Sequence, residues 1–551
     1  MQKPTLQHIH PAELTKQNIE DILNSNTYNL RFRVDKQIAF SIALFCVLIL
    51  LRVSNLNYNT LAIDEAISVN VGQKVISGVT LYDTASQISG SHLFPITAAL
   101  VNEVGGESGI RLLSATFSII TCLMIFFTSK RLFNFNAAFW GTLLFGTAGI
   151  SLNLSQVAIT DGMGVMFFSI AIYLLVEAFH DNSSYSKWYA IASGICFGLC
   201  FLAKYTGLLL LPALVVMGAL SYFSQPSQQR NFLFDARLYY FLFPVVGILA
   251  VSILLVHQDI WLALTKASTN TGDLVIVSKL AVITSIIQQY GIILSLAVAG
   301  LVVFIDDFHG RMNLLPLLNK RSLLFVMTAF VLICFMVLSF YHIYLSTLTD
   351  LWQHNVYILV IIAPFAGLAI IKLIDRIRSS FSTQLHELRL LGVACLFLLF
   401  MAYLKSSFDT MKSYASSFPN IEDSVLYLQA QEMVSLREDL FVLSSVAMVY
   451  EYYLFNQPTL TRAWYSNWYF EYNNTFDIEG IRVAINDCAL DLVILDDFYT
   501  NDINQEIEPL LIAAGYIQIY STLQVLETGD QVGIRMYTPA SHNQCTWRES
   551  S

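Results

Sequence analysis

Residues 38–66 read IAFSIALFCVLILLRVSNLNYNTLAIDEA: an apolar run, a short polar turn, and then the adjacent acids Asp64 and Glu65. The run begins too late and is too long for a cleaved signal peptide, so a retained membrane span is expected over about residues 38–54. Arg31, Arg33 and Lys36 precede it. By the positive-inside rule this places the amino terminus in the cytoplasm and the acid pair on the outer side. A carboxylate at that water–lipid boundary is partly desolvated, which raises its basicity towards that of a working base. A solvated surface pair is the plainer alternative, and the rest of the chain has to decide between them.

Composition fixes the class. The 551 residues are 55% hydrophobic and only 13% charged, with a mean hydropathy of +0.58. That is too little charge to cover a soluble surface of this size. A net charge of −10 with no basic tract argues against nucleic-acid binding, which needs a basic face. Spans of bilayer length recur at about 38–54, 110–128, 135–151, 162–179, 188–203, 206–222, 239–256, 282–304, 322–341, 355–374 and 389–404. The expected fold is therefore a polytopic α-helical membrane protein of about eleven transmembrane helices, with interfacial helices in its first outer loop. Seventeen Lys and Arg fall on the inner segments, against six on the outer side before the tail, which supports the threading.

The chain divides into three regions: a cytoplasmic segment 1–37, a transmembrane domain 38–405 and an outer domain 406–551. In the last, Phe441-Val442-Leu443, Leu492 to Leu495 and Gly533 to Tyr537 read as strands, with helices at Val446–Leu454 and Ile507–Ala514, giving a small α/β layer. Asp496 and Asp497 follow a strand, where a solvated turn is the simpler reading. Cys488 and Cys545 are placed to pair in an oxidising compartment, though spacing alone does not show it.

The polar residues assigned to the outer face are few. Loop one, residues 55–109, carries Asp64, Glu65, Tyr82, Asp83, His92 and Glu103, and Arg111 opens the second span. Asp161 tops a helix on the same side, as a cap or as an active-site acid. Lys204 interrupts an apolar stretch. A lysine at membrane depth costs roughly 2.5 kcal/mol or more unless it snorkels or meets an anion, so it is a candidate for a carboxylate or phosphate partner. Further outer candidates for substrate binding are His257, Asp259 and Lys266, then Tyr341, His342, Asp350 and His354. Acids and a buried cation on one side suit a sugar carried on a lipid phosphate: the cation meets the leaving phosphate and one acid takes the proton of an acceptor hydroxyl. A single displacement inverts the sugar, and no metal or other cofactor is required.

Those residues carry a resemblance. Asp64-Glu65-Ala66, then Gly78-Val79-Thr80-Leu81-Tyr82, then Gly109-Ile110-Arg111-Leu112-Leu113-Ser114, followed by Gln156 to Asp161 and Leu202-Ala203-Lys204, resemble the membrane glycosyltransferases of the C superfamily. Within it they are similar to the protein O-mannosyltransferase and lipid A aminoarabinose transferase group, over about residues 38–375. The resemblance implies a polyprenyl-phosphate sugar donor, Asp64 as catalytic base, interfacial helices in loop one and an outer soluble tail. Beside the base, Glu65 and Asp161 are the further catalytic candidates, Glu65 as the acid that orients the loop or a neighbouring cation, and Lys204 and Arg111 are the candidates for the donor phosphate; the acceptor is a hydroxyl on a protein, lipid or glycan. In place of the His-Pro-Pro sequence of many relatives, His92-Leu93-Phe94-Pro95 keeps the histidine and one proline. A secondary transporter is the reading from another class. Its signature, repeated halves with matched interrupted helices, is not visible here, and the candidate charges gather at one face.

Overall fold

The computed structural model describes residues 36–79, 88, 90–180, 184–224, 232, 235–269, 277–309, 320–348, 350–380, 386–415, 418–431, 440–454, 463–467, 470–498, 501–526 and 531–540. Met1–Leu50 and Leu51–Ser551 form two units. The first contains most of helix α1 (Lys36–Val53), and the remaining helices and all the strands belong to the second.

In lipid every backbone donor and acceptor must be satisfied within the segment, so continuous apolar runs become helices. The runs read from the sequence do so. They appear as α3 (Leu93–Leu132), α4 (Phe135–Thr147) with α5 (Gly149–Gln156), α6 (Thr160–His180), α7 (Ser186–Ala203), α8 (Leu211–Ser224), α9 (Ala236–Thr269), α10 (Lys279–His309), α11 (Lys320–Phe335) with α12 (Val337–Leu345), α13 (Leu351–Ser380) and α14 (His386–Ala415). Among the described residues eight helices are long and apolar enough to cross a membrane, and two bent pairs bring the number to ten. The eleventh expected run, 389–404, lies within α14.

As expected, loop one contains helices, α2 (Ile63–Ile76) and the first half of α3. Several boundaries depart from the sequence reading. At Gly106 the backbone takes φ 55° and ψ −152°, a region open to glycine alone, and this kink separates the loop-one half of α3 from its spanning half. The pair α4 and α5 bends by 63° at Ala148. The segment expected as a loop from 257 is helical up to Thr269. Gly194 and Gly198, four apart on α7, let α9 approach closely: a Cβ on Gly194 would lie 2.2 Å from the Phe241 carbonyl oxygen.

Among the described residues the strands all lie between residues 441 and 539. β1 (Phe441–Ser444), β2 (Ala463–Tyr465), β5 (Leu492–Asp496), β6 (Tyr516–Val525) and β7 (Gln531–Pro539) form a sheet of order β2-β1-β5-β7-β6, while β3 (Glu471–Tyr472) and β4 (Thr475–Phe476) form a hairpin. β1 is parallel to β2 and β5, whereas β7 is antiparallel to both β5 and β6. Central β5 is buried along its whole length, which explains the apolar run Leu492–Leu495 ahead of its closing Asp496. The two-residue period then divides its side chains. Val493 and Leu495 face a cluster with Ile481 and Ile485 of α17 (Asp477–Asn486) and Ile507 and Leu511 of α18 (Asn501–Ala513). Leu492 and Ile494 enter a second cluster that includes Val446, Val449 and Tyr450 and continues to Leu61, Ala66 and Val69 of loop one.

The sheet is thus packed onto the acid-bearing segment. After α15 (Glu422–Ala430), helix α16 (Ala447–Leu454) touches α2 and the residues just before it through polar contacts as well. The Tyr453 hydroxyl accepts from Leu61 N at 3.0 Å, Asn70 Nδ2 donates to the Met448 carbonyl at 2.9 Å, and Lys74 pairs with Glu451 at 3.3 Å. Cys488 is disulfide-bonded, and the other six described cysteines are free. Cys545 lies outside the described residues.

Candidate active site

Helix α2 begins at Ile63 behind Ala62, which has no side chain able to cap. Glu65 supplies the return half of a capping box instead, its Oε2 accepting from Ala62 N at 2.9 Å. The same carboxylate meets Arg111 of α3 in a two-point pair, Nε to Oε1 at 3.1 Å and Nη2 to Oε2 at 2.9 Å, with both side chains fully buried. Oε1 also accepts from Ala158 N at 2.8 Å, in the turn ahead of Asp161. Arg111 places its remaining donors on the carbonyls of Leu56, Asn59 and Thr60.

This corrects the expectation of Arg111 at the donor phosphate, and it fits Glu65 as the acid that orients the loop and a neighbouring cation. All five N–H donors of Arg111 are spent on protein acceptors, so it has none left for a donor phosphate. Glu65 is equally committed, and it acts as the clamp that fixes α2, α3 and the 157–159 turn relative to one another. Asp64 is its opposite. Its side chain is reached by solvent, yet protein surrounds it closely enough that desolvation pushes its pKa up to about 6, with Asp350, Asp161 and Glu65 adding and Lys204 opposing.

Lys204 occupies a break in the helices. α7 stops at Ala203, Lys204 is extended, and a 3₁₀ turn over Tyr205–Leu210 leads into α8. Its ammonium is buried, 2.9 Å from Asp161 Oδ2, 3.5 Å from Gln353 Oε1 and 3.9 Å from Asp350 Oδ2. Asp161 stands in the first turn of α6 and is 1% exposed, so it is a buried counterion rather than a solvated cap. Asp350 precedes α13 with a left-handed φ of 56°. Burial raises its pKa, but Lys204 with His354 and His342 outweighs this and holds the carboxyl below its ordinary value. His342 Nε2 and His354 Nδ1 are 2.7 Å apart, and His354 Nε2 is 3.3 Å from Thr206 Oγ1, tying α12, α13 and the turn after Lys204 together.

Of the expected site residues, then, the structure brings Asp64, Asp161 and Lys204 into one electrostatic cluster and places His342 behind it. Tyr341 sets its ring edge-on to His342. His92 stands, partly exposed, at the amino-terminal boundary of α3. Tyr82 and the side chains of His257 and Lys266 lie outside the described residues. Gln353 was not singled out from the sequence, although a signal was there: Asp350, Gln353 and His354 fall at i, i+3 and i+4, which is one face of a helical turn. Among the described residues no three His, Cys, Asp or Glu side chains are placed to share a metal ion.

Loop one returns to the Lys204 break just before α3. Ser91 N donates to the Leu202 carbonyl at 2.6 Å, and a Cβ on Gly90 would lie 2.1 Å from the Ala203 carbonyl oxygen. Gly90→Ala is therefore expected to cost about 1–3 kcal/mol by overpacking, read as a lower melting temperature in detergent. An unchanged melting temperature would show that the contact yields freely.

This arrangement of spanning helices, broken helix ends around an acid and lysine cluster, and a packed α/β layer is the polytopic helical fold with a small α/β layer expected from the sequence. Comparison with known proteins agrees. Residues 90–257 match the dolichyl-phosphate-mannose-protein mannosyltransferase family, so the resemblance read from the sequence holds. No curated protein matches by sequence. Among solved structures, ArnT from Cupriavidus metallidurans bound to undecaprenyl phosphate aligns with TM-score 0.53 and 11% identity, over 90% of this chain and 98% of that one. The oligosaccharyltransferase AglB from Archaeoglobus fulgidus, in complex with an inhibitory peptide and a dolichol-phosphate, aligns with TM-score 0.54 and 11% identity, over 91% of this chain and 74% of that one. At such identity the likeness is one of fold.

Proposed function

We propose that the protein transfers a glycosyl group from a polyprenyl-phosphate sugar to a hydroxyl acceptor on the extracytoplasmic side, with Asp64 as the base. The carrying observation is the solvent-reached Asp64 carboxyl, whose pKa is raised to about 6 and which shares one charge cluster with the buried Lys204. The acceptor oxygen attacks the anomeric carbon and loses its proton to Asp64, while the carbon–oxygen bond to phosphate breaks and its electron pair leaves with the lipid phosphate. One displacement inverts the sugar. The phosphodiester bears a single charge and the departing monoester gains a second, so a cation beside the phosphate favours departure. Lys204 is suited to this: Asp161 holds one of its three donors at hydrogen-bond length, and its other contacts are long. Two neighbours of the same fold carry a polyprenyl-type phosphate, which supports a lipid-phosphate donor here.

The excess of Lys and Arg on the assigned inner segments and the disulfide at Cys488 support a cytoplasmic segment 1–37 and an outer region from about 406. The experiment is transfer from a polyprenyl-phosphate sugar by the full chain in liposomes. A base works deprotonated, so with a pKa of about 6 for Asp64 the rate should rise with pH through that value and level off above it. No transfer, or a rate that falls as pH rises from 5 to about 7, would sink the proposal.

A further inference from the structure

The two carboxylates beside Lys204 are held differently. Asp161 is fixed, 1% exposed at its side chain and at hydrogen-bond distance. Asp350 is 42% exposed at its side chain, and at 3.9 Å it pairs with the ammonium by charge alone, beyond hydrogen-bond length. Its backbone is nevertheless well fixed: His354 N donates to the Asp350 carbonyl at 3.0 Å, and the His342–His354–Thr206 chain buries the helix start behind it. The φ of 56° is a conformation that non-glycine residues seldom adopt, and such strain persists where the surroundings impose it. A fixed backbone thus carries a loosely held, solvent-open carboxylate against the one lysine of the cluster. An anion arriving at Lys204 meets Asp161 as a permanent partner and Asp350 as the displaceable one.

Accepting the glycosyl-transfer reading on which this rests, the reaction ends with a difficulty. Its product, a phosphate monoester, carries about −1.5 to −2 charge near neutral pH, against −1 for the donor. Lys204 therefore holds the spent lipid more strongly than fresh donor. We propose that Asp350 is a positioning residue that acts through Lys204: displaced when the donor phosphate binds, its carboxylate returns to the lysine after transfer and expels the monoester. A carboxylate repels the dianion about twice as strongly as the monoanion, so the same group discriminates against product while still admitting donor.

The test uses the full chain in liposomes, with undecaprenyl phosphate as the probe and two variants, Asp350→Asn and Asp350→Gly. Both remove the charge, and both residue types tolerate the left-handed backbone. Inhibition by undecaprenyl phosphate should tighten about tenfold and the donor KM fall about threefold, with kcat reduced because release slows. Inhibition that is unchanged or weaker in both variants overturns the inference. Introducing Lys204→Ala should erase the effect of Asp350→Asn; an effect that survives overturns the route through the lysine. Equilibrium binding of undecaprenyl phosphate keeps the two readings apart. If the parent protein transfers no sugar, the proposed function fails, while tighter binding by Asp350→Asn still upholds the role of Asp350 and equal binding removes it.

Discussion

Asp64→Asn is expected to lower turnover by about a hundredfold to ten-thousandfold while leaving donor binding largely intact, the usual contribution of a general base. Asn keeps the shape of the side chain and removes its ability to take a proton. Asp64 forms none of the contacts of the neighbouring Glu65–Arg111 clamp, so the variant should melt with the parent protein. The residual rate should also lose its rise near pH 6, because the group responsible for that rise is gone. Transfer from a polyprenyl-phosphate sugar in liposomes across pH, with donor binding and the melting temperature measured separately, reads all four. A folded Asp64→Asn protein that turns over at the parent rate removes Asp64 from the mechanism.

Glu65→Ala should act on the fold instead. The change strips Arg111 of its counterion while leaving the guanidinium fully buried, and an uncompensated buried charge costs about 3–5 kcal/mol. It also releases Ala62 N and Ala158 N, both of which donate to Glu65. The expected outcome is a large fall in the melting temperature in detergent, with activity lost because α2 no longer presents Asp64. Combining it with Arg111→Met removes the stranded charge, so the double variant should melt above the single one. A Glu65→Ala protein as stable as the parent would show that the pair contributes nothing to holding the site. Together the two substitutions separate adjacent acids that look alike in sequence.

The membrane class, the run of spans and the strand–helix alternation of the last hundred residues were all legible in the chain, because each depends on local hydropathy and its period. Asp64, Asp161 and Lys204 were legible too, since an ionisable residue beside or within an apolar run is conspicuous against its neighbours. Which charges are spent and which are left to act was settled only by folding. Arg111 and Lys204 both look like unpaired cations in the chain. Packing gives the first five protein acceptors and a bidentate carboxylate, and leaves the second one close hydrogen bond and two long contacts. Likewise Asp350, 286 positions after Asp64 in the chain, acts on it through space. Charges interact by distance and by the water removed between them, and neither quantity is set until helices remote in sequence are packed side by side.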